Sequence, residues 1–92
     1  MAKLSQQQAS ERLKTLTGWV LDGETIVKKF KFPDFQKAIG FVNKVAEAAE
    51  DLNHHPTIVI NYNRVTLALT THSEGGLTEK DFQMATRIDG IM

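Results

Sequence analysis

Residues 53–72 read NHHPTIVINYNRVTLALTTH and hold all three histidines of the 92-residue chain. Two β-branched runs in this stretch, Thr57-Ile58-Val59-Ile60 and Val65-Thr66-Leu67-Ala68-Leu69-Thr70-Thr71, have the composition of strands. Asn61-Tyr62-Asn63-Arg64 between them reads as a turn, so the stretch predicts an antiparallel hairpin. If Asn61 faces Arg64, the numbers of paired residues sum to a constant. His54 and His55 then lie opposite Thr71 and Thr70, and His72 stands one residue further on. Neighbouring strands run about 4.8 Å apart, so the three imidazoles would gather at the open end of the hairpin. A one-residue slip would change which face each ring takes, but not the gathering itself. Histidine alone among unperturbed side chains changes charge near neutrality, at about pH 6.5, so such a cluster is suited to proton transfer.

Working back from this hairpin, Pro56 forbids a helix through it and biases His55 toward extended backbone. Before it, Phe35, Ala38, Ile39, Val42, Val45, Ala46 and Ala49 recur at steps of three and four. They predict a long amphipathic helix that starts at Pro33-Asp34 and closes on a left-handed Asn53. Further upstream, Trp19-Val20-Leu21 and Ile26-Val27-Lys28-Lys29-Phe30-Lys31-Phe32 read as two strands. Asp22-Gly23 makes the turn, and Glu24-Thr25 extends it into a longer loop. Phe30 and Phe32 alternate with Lys29 and Lys31, one face buried and one wet, and Lys28 is grouped with the solvated lysines. Ser5 with Gln8 forms a capping box for a first helix carrying Ala9, Leu13 and Leu16, which Gly18 ends. Downstream, Ser73-Glu74-Gly75-Gly76 is a loop. Thr78 caps a last helix with Asp81 at the acidic capping position and Leu77 and Phe82 at hydrophobic-staple spacing.

The order is therefore αββαββα. The expected fold is α+β in two layers, a four-stranded antiparallel sheet with the helices packed on one face. Residues 1–92 form one domain, since a chain of this length holds a single core. The composition is 41% hydrophobic and 24% charged, with a formal net charge of zero. That is globular, and it argues against a nucleic-acid binder that works by broad phosphate neutralisation. Cysteine is absent, so disulfides and thiolate metal sites are excluded. No apolar run approaches the roughly 20 residues of a membrane span, and polar Gln6-Gln7-Gln8 follows the start where a secretory leader would be apolar. A soluble cytoplasmic chain that self-associates is the expectation.

Glu50 and Asp51 stand four residues ahead of His54 and His55. If the helix ran that far, each acid would share a face with one ring. A histidine pair at a helix–strand junction also serves as a plain solvated cap. Three imidazoles with a carboxylate could bind zinc or iron, although none of the familiar ligand spacings is present. Gly75-Gly76 lacks the lysine and hydroxyl residue of a phosphate loop. Trp19 suits a core position or a stacking surface for a flat ligand.

The run Glu50-Asp51-Leu52-Asn53-His54-His55-Pro56, then Tyr62-Asn63-Arg64-Val65, then Thr71-His72-Ser73-Glu74-Gly75-Gly76-Leu77-Thr78 with Asp81, closely resembles the pterin-4a-carbinolamine dehydratase family. The order of elements agrees along the whole chain. Many members have an acid where this chain has Ser73, a peripheral departure that leaves the histidines intact. The resemblance implies a lyase that removes water from 4a-hydroxytetrahydropterin to give quinonoid dihydropterin. That step recycles the cofactor spent by aromatic amino acid hydroxylases. It implies His54, His55 and His72 as catalytic residues, and Glu50, Asp81, Trp19 and Pro56 as residues that bind the pterin. It also implies that no metal or cofactor is needed beyond the substrate, itself a pterin cofactor. The domains are expected to pair through their sheets into dimers, or tetramers in animals, with no direct nucleic-acid or membrane partner. Animal members also bind a dimeric transcription factor, so the competing reading is a dimerisation cofactor of a transcription regulator.

Overall fold

The computed structural model describes residues 3–91. Its elements are α1 (Gln6–Leu13), β1 (Val20–Asp22), β2 (Thr25–Lys31), α2 (Phe35–Leu52), β3 (Thr57–Asn61), β4 (Arg64–Leu69), a 3-10 turn (His72–Glu74) and α3 (Glu79–Asp89). The four strands form one antiparallel sheet in the order β1-β2-β4-β3. This is the expected α+β architecture.

The β3–β4 register is the expected one, with Asn61 opposite Arg64 and Thr57 opposite Ala68. Pairing of β2 with β4 brings Ile26, Lys28 and Phe30 opposite Leu69, Leu67 and Val65, so these six share the inner face. Ile26, Phe30, Val65, Leu67 and Leu69 are buried there against Ala38, Phe41, Val45, Met84, Ala85 and Ile88 from α2 and α3. Each large side chain so buried contributes about 1.5–3 kcal/mol. Phe41 forms the centre of an aromatic cluster, with ring centroids 4.7 Å from Phe30 and 5.1 Å from Phe32.

Several local expectations are corrected. Helix α1 ends at Leu13, before Gly18, because turns at Lys14, Thr15 and Leu16 close with bonds to residues three back. Gly18 instead has φ +87°, and the Lys28 side chain comes within 3.0 Å of where a Cβ would be. The first hairpin turn is a two-residue one. Asp22 pairs with Thr25, and Gly23 takes the positive φ that a primed turn requires at its first central position. The buried stripe of α2 is Ala38, Phe41, Val45, Ala48 and Ala49. Phe35 is 48% exposed and Ala46 faces solvent. The stripe is rotated because Phe41 packs on Phe30 of β2 and on Phe32 just after it. Lys28 is not on the solvated face, since it is in phase with Ile26 and Phe30. The expected strands also lose their ends: Trp19, Phe32, Thr70 and Thr71 lie outside the ladders. Among the described residues, no helix is long and apolar enough to cross a membrane.

Candidate functional site

The end of α2 sets the first two histidines. Asn53 takes φ 50° and ψ 45°, as expected of a left-handed cap. Its N–H bonds Glu50 O at 3.3 Å, and the His54 N–H bonds Ala49 O at 3.0 Å. This Schellman closure satisfies the last carbonyls of the helix and turns the chain sharply inward at His54. His54 is 9% exposed. Pro56 then starts the run into β3.

The N-terminus of α3 supplies the partner. Asp81 has no exposed surface. It completes a capping box with Thr78, and its Oδ2 accepts from the Thr78 N–H at 2.9 Å. The same oxygen accepts from the Thr71 hydroxyl at 2.8 Å, and Oδ1 lies 2.5 Å from His54 Nε2. A carboxylate has no proton to give, so the proton in this last contact belongs to Nε2. Among the described residues the side-chain bond of His54 is made through Nε2, and no buried side-chain nitrogen or oxygen lacks a partner.

His55 is placed differently. Its side chain is 57% exposed and its Nε2 lies 2.5 Å from Oε2 of Glu50, itself 77% exposed. The four-residue pairing of acid and ring, which needed the helix to run on to the histidines, is not made, because Asn53 caps the helix as expected. Helix α2 ends at Leu52, so Glu50 reaches His55 rather than His54, and Asp51 pairs with Arg87 at 2.7 Å.

His72 opens the 3-10 turn, which Gly75 closes in a left-handed conformation. The turn is pinned by a bridge between Thr71 and Gly76, with N–H···O distances of 3.0 and 3.3 Å. His72 is exposed and follows Thr71, which shares the Asp81 carboxylate with His54. The three histidines therefore lie at one end of the β3–β4 hairpin, and of them His54 is the one bonded to the buried Asp81. Pro56 lies half-buried beside them.

Trp19 is held elsewhere. The residue is 5% exposed, and its indole N–H reaches Asp89 at 3.1 and 3.2 Å. Asp89 is at the far end of α3, about 12 Å along the axis from Asp81 at 1.5 Å per residue. Lys28 Nζ joins the same carboxylate at 3.0 Å and also donates to Thr17 O at 2.9 Å. Two participants escaped sequence reading. Thr71 has the composition of a strand residue, and nothing in its local pattern marks a hydroxyl aimed at a carboxylate 10 residues on. The burial of Lys28 was visible in principle, because it shares the phase of Ile26 and Phe30. No three His, Asp or Glu side chains among the described residues are grouped as a metal-binding set.

With this geometry in view, the likenesses to known proteins are specific. The family model described as Pterin 4 alpha carbinolamine dehydratase matches residues 2–91. A Roseiflexus protein named "Putative pterin-4-alpha-carbinolamine dehydratase" is 53% identical over 90 residues, covering 98% of this chain and 97% of its own length. A relative of the same name from Acidobacterium capsulatum is 50% identical over 92 residues, covering the whole of both chains. The crystal structure of a "transcriptional coactivator/pterin dehydratase" from Brucella melitensis superposes with a TM-score of 0.91 at 45% identity, covering 97% of each chain. A pterin dehydratase-like RuBisCO assembly factor of the alpha-carboxysome shares the fold, with a TM-score of 0.71 at 23% identity over 83% of this chain and 90% of its own. Matched from end to end and at half-identical sequence, this chain belongs to the pterin-4a-carbinolamine dehydratase family.

Proposed function

We propose that the protein is a 4a-hydroxytetrahydropterin dehydratase that works by histidine general acid–base catalysis. The observation that supports this reading is the placement of His54, His55 and His72 at one end of a hairpin, with His54 held on the buried Asp81 carboxylate and His55 on the exposed Glu50. The reaction needs one proton delivered and one removed. Protonation of the C4a hydroxyl lets it leave as water, and loss of the N5 proton closes the C4a=N5 bond of the quinonoid dihydropterin. Two adjacent rings held on separate acids, His54 on Asp81 and His55 on Glu50, supply a donor and an acceptor for those steps. His72 binds the pterin and supports the transfer, and Pro56 with Glu50 borders the ring. Trp19, which the family resemblance places among the pterin contacts, acts here through the packing of α3.

The same reading assigns the protein to pterin recycling for an aromatic amino acid hydroxylase. It also expects self-association through the open sheet, which sedimentation would measure. The coactivator role in the name of the Brucella relative is the competing proposal, and a pull-down from native extract separates the two. Stopped-flow absorbance of 4a-hydroxypterin dehydration, with and without the protein, tests the enzyme reading directly. Acceleration over the spontaneous reaction is expected, and none would remove it.

A further inference from the structure

We infer that Thr71 is a positioning residue: its hydroxyl, held by Thr78, anchors Asp81 so that His54 keeps its proton on Nε2 and presents Nδ1 to the substrate. The inference rests on the proposed dehydratase reading for its kinetic part only.

The proton positions follow from counting donors and acceptors. Thr78 Oγ1 accepts from the Lys80 N–H at 3.3 Å, in the first turn of α3. Thr71 Oγ1 lies 2.9 Å from Thr78 Oγ1 and 2.8 Å from Asp81 Oδ2. The single hydroxyl proton of Thr71 must go to the carboxylate, which can only accept. The Thr78 hydroxyl proton therefore points at Thr71 Oγ1. The chain runs in one direction, from Thr78 to Thr71 to Asp81, and ends on Oδ1 against His54 Nε2. Every member is buried: Thr78 and Asp81 fully, Thr71 and His54 nearly so. Water cannot replace a lost link without entering the core between β4 and α3. With Oδ2 held by two donors, Oδ1 keeps its bond to the ring, and the imidazole is fixed in both rotation and tautomer. The nitrogen left for chemistry is then Nδ1. His55 has no such support, because its acid partner is exposed.

The test uses the full chain with Thr71→Val, which keeps the shape and removes the hydroxyl, and Thr71→Ser, which restores it. Two readouts are taken: steady-state dehydration kinetics, and long-range 1H–15N NMR of the imidazole nitrogens. In the unsubstituted protein, neutral His54 should show a protonated Nε2 and an unprotonated Nδ1. Thr71→Val should give a mixed or exchanging tautomer and lower kcat about tenfold, with KM within about twofold. Thr71→Ser should recover the nitrogen signature and most of kcat. An unsubstituted protein with Nδ1 protonated, a Val variant with unchanged nitrogens and kcat, or a Ser variant as impaired as a folded Val variant would each overturn the inference. If the protein shows no dehydration activity yet Val alone disturbs the His54 nitrogens, the dehydratase reading fails while the positioning of the ring stands.

Discussion

Helix α3 carries an aspartate near each end, and each holds the ring N–H of an aromatic residue from another element. Asp81 at the N-terminal end binds His54 Nε2, and Asp89 at the C-terminal end binds the Trp19 indole. The two bonds look alike and do different work. The indole has a single nitrogen, always a donor, so a carboxylate on it can only hold the ring in place. Lys28 completes that contact as an ion pair, with its ammonium 5.1 Å from the Phe30 ring centroid, and ties β2 to the helix. The imidazole has a second nitrogen, so a carboxylate on one side sets what the other side can do. Asp81 is fully buried and shared with two threonines, whereas the Asp89 side chain is 27% exposed. The same residue type thus makes a lock at one end and, under the proposed function, a chemical site at the other. The identity of the ring decides which.

Substitutions at the two ends should separate these roles. Asp81→Asn is expected to have the largest effect. It places an amide donor where an acceptor serves three donors, and should lower kcat about a hundredfold or more while shifting the His54 tautomer. Stopped-flow assays with NMR would measure both, and near-normal turnover would mean that the buried end is only another lock. His55→Ala comes next. Its ring is largely exposed, so the protein should fold with unchanged Tm and lose most of the catalysed rate, about thirtyfold. A variant retaining nearly full activity would leave His54 or water as the donor at the hydroxyl. Glu50→Gln keeps the hydrogen bond to His55 without the charge and should cost about threefold in kcat/KM, because exposed ion pairs contribute little. Asp89→Asn should leave the rate within about twofold and reduce stability by about 1 kcal/mol, seen as a lower urea midpoint. A clear loss of kcat there would return Trp19 to the pterin pocket, as the family resemblance implies.

The comparison also marks what could be read from letters alone. The αββαββα order, the Asn61–Arg64 register, the Asn53 cap and both capping boxes are local. Each depends on residues within a few positions, where backbone sterics and hydrogen-bond geometry act directly. The gathering of the histidines followed from that register. What did not follow was which acid serves which ring. Helical spacing would have paired Glu50 with His54 and Asp51 with His55 only in a helix that continued past Asn53. The Schellman turn breaks that spacing, sending His54 inward to Asp81 and leaving Glu50 to His55. The rotation of the α2 stripe toward Phe41 was hidden for a similar reason, since periodicity defines a face only to within the width of one side chain.

By itself, then, the sequence determined the elements, their order, the hairpin register and the three imidazoles at one end, because those depend on short-range backbone preferences and on the twofold period of strands. Only the tertiary structure decided that Asp81 and Thr71 stand behind His54, that His55 faces solvent, and that Trp19 and Lys28 belong to the opposite end of α3. Those contacts join elements distant in the chain, and they are set by how α3 packs against the sheet, which no local pattern encodes.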